Sequence, residues 1–405
     1  MNDEASAGAD ADWARERRRL LARAHCIVIK VGSAVLTDAD GLALEVLDSL
    51  AAQMAVLRAP GAGDAGGRRI VLVSSGAVAA GRAALASQGI DARGRDLAVR
   101  QAAAAVGQGL LMRAWDRAFR PHGVATAQVL LTRDDLRSRS RFLNARNTFA
   151  ELLRWGVLPI VNENDTVSVA ELKFGDNDCL ASLLVNLVGA DLFINLTSAR
   201  GVCARDPQAD PGAPVLARIE DVARLDLGRL CGAKTAVGTG GMRSKLMAAR
   251  RAAQLGVPTL ILRGREQDAL TRAFGLVDEE GAEAPAGTWV DPARHAIPRR
   301  KFWLAYQSDP AGSVTVDAGA AAALMREGGS LLPGGVCEVS GSFQKGALVR
   351  VEHAGQPLGV GLTNYSAADL RKIMGLKRHE VAAILGDAHY PDVIHRDNLL
   401  LDAAV

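Results

Sequence analysis

Short, nearly uninterrupted apolar runs recur along this chain, at Cys26–Val31, Arg69–Ser74, Val157–Val161, Asp191–Leu196 and Val257–Leu262. Runs of that length with no polar alternate read as strands buried on both faces. Between them lie stretches of helical period: 42–58, a helix opening at Ser74–Ala77 and running to about Leu85, 97–119 with an interruption near Gly107 and Gly109, 141–155, 179–188 and 242–255. A further strand is expected over Gly123–Leu130. Parallel strands need long crossovers, and helices supply them while covering the sheet. The expected fold is therefore α/β, a three-layer αβα sandwich with a mainly parallel sheet.

The character changes past residue 277. Val277–Arg294, rich in acidic residues, Gly, Ala and Pro, reads as a linker. Beyond it come short β-type runs at Ser313–Val316, Val336–Val339 and Ala347–Val351, with one helix from Asp317. The expected organisation is an N-terminal extension (1–24), an α/β domain (25–276), a linker (277–298), a small β-rich domain (299–390) and a C-terminal tail (391–405).

With 405 residues, 49% of them apolar, the chain can bury a sizeable core. Its 48 basic and 45 acidic residues leave a net charge of +3, too little for a general attraction to nucleic acid or a membrane surface. The five cysteines lie far apart with no C-x-x-C pair, which fits neither a zinc site nor a disulfide framework and points to a reducing cytoplasm. Residues 1–24 contain no uninterrupted apolar run and read as a polar helix, neither a signal peptide nor a membrane span.

Four stretches carry chemistry. Lys30 sits inside the end of a buried strand with Gly32-Ser33 after it; an ammonium there must escape to the surface or face an anion. Ser74-Ser75-Gly76-Ala77 forms a strand, small polar turn and helix, which aims backbone N–H groups at an anion or simply caps the helix. Gly238–Lys245, G-T-G-G-M-R-S-K, places Arg243 and Lys245 in the first turn of a helix, where cations oppose the macrodipole. That makes sense if a polyphosphate docks there, although no Walker A loop occurs in the chain. The loop Asn162–Asp178, N-E-N-D-T-V-S-V-A-E-L-K-F-G-D-N-D, leaves a strand at its carboxyl end, where α/β sheets bind ligands. Its mixture of Asp, Glu and Asn could grip both an amine and a carboxylate; the plainer reading is a solvated loop.

With these residues in hand, the chain resembles the amino acid kinase family, in its glutamate 5-kinase branch, from about Ile27 to the C-terminus. The resemblance rests on V-I-K-V-G-S, V-S-S-G-A-V-A-A-G-R, R-F-L-N-A-R-N-T, I-V-N-E-N-D, F-G-D-N-D and G-T-G-G-M-R-S-K-L-M-A-A. The C-terminal segments S-V-T-V-D-A-G-A-A-A-A-L and S-L-L-P-G-G-V resemble a PUA domain.

The resemblance implies ATP-dependent phosphorylation of the γ-carboxylate of L-glutamate to L-glutamyl 5-phosphate, the first step of proline biosynthesis. It implies that Lys30 and Lys245 stabilise the transferring phosphoryl group and that Asp178 orients them. Ser75, Asp165 and Asn177 match residues that hold glutamate, with Asp165 on the ammonium. Thr197, Ser198, Thr239, Gly240, Gly241, Met242, Arg243, Ser244 and Lys245 match segments lining the ATP site, and Lys30, Gly32 and Gly76 are expected to join them on the phosphates. The cofactors implied are ATP and Mg²⁺. A homo-oligomer, proline as feedback inhibitor and a reductase that takes the acyl phosphate also belong to the family pattern.

The chain departs from that pattern at Ser198, where Asp is usual, at Cys203, where an aromatic is common, at Ala34, where a hydroxyl is usual, and in the extension before Cys26. The competing readings are a kinase for aspartate or N-acetylglutamate on the same fold, and an RNA-binding protein acting through the PUA-like segment. The latter calls for a basic, aromatic-studded face, whereas the segment offers only scattered cations such as Arg299, Arg300, Lys301 and Lys345.

Overall fold

The computed structural model describes residues 2–60, 67–94, 96–168, 177–207, 209–231, 241–277, 287–299, 301–302, 310–385 and 390–401. The chain divides into two compact units, 1–296 and 297–405.

In the first unit, helix α1 (Asn2–Arg23) leads into strand β1 (Cys26–Val31), buried at every position. A short helix α2 (Ser33–Leu36) and the hairpin β2 (Thr37–Asp38) and β3 (Gly41–Leu42) precede α3 (Leu44–Arg58) and β4 (Arg69–Ser74). Helices α4 (Ala77–Ala86) and α5 (Leu97–Phe119), then β5 (Thr126–Leu131), α6 (Arg133–Arg137), α7 (Arg139–Arg154) and β6 (Leu158–Glu163) follow. Next come α8 (Asn177–Val188), β7 (Leu192–Thr197), β8 (Arg218–Ile219), α9 (Leu227–Cys231), α10 (Met242–Gln254), β9 (Thr259–Arg263), α11 (Ala269–Ala273) and β10 (Thr288–Val290).

The strands form one eight-stranded sheet in the order β5-β6-β4-β1-β7-β9-β10-β8. All neighbours are parallel except β9 and β10. Alternation along β1 sorts the faces: Ile27, Ile29 and Val31 pack with Leu47, Leu50 and Met54 of α3 and with Trp115 and Phe119 of α5. The other face, which carries Lys30, is covered by α8, against which α10 packs. The αβα sandwich expected from the apolar rhythm is the architecture present. Strand β1 has β4 on one side and β7 on the other, so successive strands are laid down in opposite directions from it. In open α/β sheets, ligands bind beyond the carboxyl ends of the strands at such a reversal.

Several expectations are corrected. Helix α5 runs unbroken through Gly107 and Gly109. Gly107 is there because α4 crosses α5 at that level: a Cβ on Gly107 would sit 1.8 Å from Ala77 O, and one on Gly81 would sit 1.8 Å from Ala103 O. The Val257–Leu262 strand does not close the sheet, because β10 and β8 lie outside it. Residues 288–290, placed in the linker, are fully buried and pair antiparallel with β9, so hydrophobic Trp289 overrides the breaker-rich composition around it. Finally, α1 is no loose extension. Leu21 and Ala24 are buried in the core, and Trp13 and Leu20 pack on it.

The second unit has its own core and a five-stranded sheet. Its strands β11 (Gly312–Val316), β12 (Val336–Gly341), β13 (Leu348–His353), β14 (Gln356–Leu362) and β15 (Leu399–Leu401) lie in the order β12-β11-β13-β14-β15. Asp317 caps the expected helix, Ala318–Glu327, by accepting from Ala320 N at 2.6 Å. Two further helices follow, Ala367–Ile373 and Arg378–Leu385. The segment read as a tail supplies the edge strand β15, whose Leu399 and Leu400 are buried, and its apolar L-L-L run is the reason.

Candidate active site

Asp178 opens α8 and is completely buried. Its carboxylate is the hub of the site. Lys30 Nζ lies 2.6 Å from Oδ1 and Lys245 Nζ 3.1 Å from Oδ2. Ser244 Oγ donates to Oδ2 at 2.6 Å, and Asn195 Nδ2 donates to Oδ1 at 2.8 Å. Each piece arrives from a different element. Lys30 stands on β1 in register with Asn195 on β7, so both side chains rise from the same face of the sheet toward α8. Ser244 and Lys245 come from the first turn of α10, as the sequence placed them.

Burial by itself would push the Asp178 carboxyl upward; Lys30 and Lys245 outweigh it and, with their hydrogen bonds, hold it well below the usual carboxylate range. The carboxylate is therefore charged, and the triad carries a single net positive charge. Asp178 fixes two ammonium groups side by side, both nearly buried at 4% and 6% exposure, where a developing anionic charge is felt strongly.

A second network adjoins this one through the neighbouring residue. Asn177 Nδ2 donates to Ser75 Oγ at 2.8 Å and to Asn162 Oδ1 at 2.9 Å. Asn162 Nδ2 in turn donates to Gln108 Oε1 at 2.9 Å. Asn177 Oδ1 is buried without a hydrogen bond, an acceptor waiting for a donor. Asp165 stands half-buried on the turn just beyond β6. Gly76 follows Ser75 with φ +113°, a left-handed conformation that glycine adopts readily and that starts α4.

Gly32 follows β1, and a Cβ built there would lie 3.7 Å from Lys30 Nζ, so backbone and ammonium flank one spot. Thr197 ends β7 buried, Ser198 follows it exposed, and Gly241, Met242 and Arg243 lead into Ser244 at the start of α10. Thr239 and Gly240 lie outside the described residues. The structure thus joins Lys30, Asp178, Ser244 and Lys245 in one cluster and Ser75 with Asn177 in the next. Ser244, expected on ATP, touches Asp178. Asn195 and Gln108 were given no role by the sequence reading, although a lone amide inside the apolar run of β7 is itself a signal, since it must find a partner when buried.

The sequence model of the amino acid kinase family matches residues 25–263, the segment that carries every residue of both networks. The chain belongs to the amino acid kinase family. Over its whole length it is similar to curated relatives. The glutamate 5-kinase of Nitratidesulfovibrio vulgaris strain Hildenborough is 61% identical over 97% of this chain and 100% of the relative. That of Oleidesulfovibrio alaskensis is 58% identical, with the same coverage. The glutamate 5-kinase of Geobacter sulfurreducens is 46% identical over 95% of this chain and all of the relative. The PUA domain model matches residues 312–385 of this amino acid kinase, inside its second unit.

Proposed function

We propose that this amino acid kinase transfers the γ-phosphoryl group of ATP to the γ-carboxylate of L-glutamate, forming L-glutamyl 5-phosphate in the first step of proline biosynthesis. The observation that carries the reading is the Lys30–Asp178–Lys245 bridge in a chain that aligns end to end with glutamate 5-kinases.

The acceptor carboxylate, with a reference pKa of about 4.3, is ionised at neutral pH and needs no general base. A γ-carboxylate oxygen attacks the γ-phosphorus, the bond to the β–γ bridging oxygen breaks, and ADP leaves. The protein aligns two anions and cancels their charge. Lys30 and Lys245, spaced by Asp178, meet the transferring oxygens, and N–H groups near Gly32, Gly76 and Gly241 approach the phosphates. Magnesium enters as part of the MgATP substrate. Asp165 takes the substrate ammonium, while Ser75 and Asn177 hold the substrate by hydrogen bonds; the open acceptor at Asn177 Oδ1 supports that role. A cytoplasmic location, a homo-oligomeric state, inhibition by proline and passage of the acyl phosphate to a reductase complete the proposal. No described helix is long and apolar enough to cross a membrane.

Hydroxylamine traps acyl phosphates as hydroxamates. With ATP and Mg²⁺, glutamate should give hydroxamate while aspartate and N-acetylglutamate give little. Equal or greater product from either of the others would overturn the assigned acceptor, and ADP release without hydroxamate would overturn the carboxylate chemistry.

A further inference from the structure

The candidate active site occupies the carboxyl ends of the strands. At the opposite ends, a crevice of about 260 Å³ opens where α3 and α7 finish and β4 and β6 begin. Four arginines line it, Arg58, Arg68, Arg69 and Arg154, and no acidic residue does among the described residues. Arg154 is paired with Glu151 (2.6 Å), and Arg68 lies 4.6 Å from the ring centroid of Phe274. The other two differ. Arg58 donates one arm to Gly156 O, while its Nη1 is buried and makes no hydrogen bond. Arg69 is exposed at the first position of β4.

A buried guanidinium N–H with no acceptor is unfavourable, and several like charges around one crevice add repulsion. An anion in the crevice relieves that repulsion. The planar forks of arginine match the oxygen spacing of phosphate, and such charge-assisted hydrogen bonds are among the stronger ones. The volume suits a small phosphorylated group rather than a polymer segment. We propose that this crevice is a second anion site, separate from the kinase chemistry, that takes a phosphate or diphosphate group.

Equilibrium dialysis of the full chain against labelled pyrophosphate, at fixed ionic strength, tests this. A saturable site is expected that weakens roughly ten- to a hundredfold in Arg58→Gln and in Arg69→Gln, the loss of one charge-assisted hydrogen bond, and that persists in Lys245→Ala. Arg69 is exposed, so its variant keeps the test valid if loss of the Arg58–Gly156 bond disturbs folding. Arg69→Gln should retain hydroxamate formation. Competition by ADP with the same arginine dependence would identify a nucleotide tail as the source of the group; competition by orthophosphate alone would identify the free anion. The proposal fails if no saturable binding occurs below about 10 mM, if binding is unchanged in Arg69→Gln, or if Lys245→Ala abolishes it.

Discussion

Asn195 offers the sharpest residue-scale test, because it touches neither proposed substrate and yet shares Asp178 Oδ1 with Lys30. Its own Oδ1 is buried without a hydrogen bond, so Asn195→Leu removes a donor to Asp178 and an unsatisfied acceptor together. We expect stability to be kept while kcat falls about tenfold, with KM for glutamate and ATP nearly unchanged. A fall in thermal stability with normal kcat would show a purely structural role. Asp178 makes a second prediction, from the direction of its titration. Unfolded, it ionises near 3.9, and folded it ionises well below that. Its contribution is therefore complete above about pH 4 and is lost as pH falls toward the folded value. The stability gap between wild type and Asp178→Asn should stay constant from about pH 5 to 7 and close only below about 4; a gap already closing at pH 6 would contradict the ion bridge. In the sequence, Lys30 and Lys245 were legible as cations in places where cations are unfavourable without an anion. Nothing in local pattern announces that Asp178, far from both, is what joins them, since that contact is made by folding.

Elements were legible where the apolar period is strong and invisible where packing decides. β1 and β4 fall where their sequences place them because every position except Lys30 is apolar or at an end. The break expected in α5 was a misreading of two glycines that serve different ends. Gly107 permits the close crossing with α4, whereas Gly109 is exposed and a Cβ there would meet nothing within 4 Å. Gly107→Ala should lower stability by about 1–3 kcal/mol through overpacking, and Gly109→Ala should leave it unchanged or raise it by roughly 0.5–1 kcal/mol through helix propensity. Thermal melts of the two variants decide this, and equal effects would contradict the packing account. Because α4 begins directly after Ser75 and Gly76, that crossing also sets the position of the Ser75–Gly76 turn.

At the scale of the whole molecule, each unit buries its own core, and the second is completed by the last described strand. Removing residues from Leu399 onward takes buried Leu399, worth about 1.5–3 kcal/mol, from that core together with Leu401 packed against it. The unfolding transition of the second unit should fall by more than about 5 °C, and an unchanged transition would show β15 to be dispensable. Composition could not reveal that strand, since a three-residue run near a terminus has no period to read. In the first unit, β1 and α10, from opposite ends of the amino acid kinase segment, deliver two lysines to one carboxylate, and we propose that both meet the transferring phosphoryl group. Steady-state kinetics of Lys245→Ala test it most directly. A loss of about 10²–10³ in kcat is expected with KM for glutamate little changed, whereas a large rise in KM with kcat preserved would contradict the shared role of the two lysines.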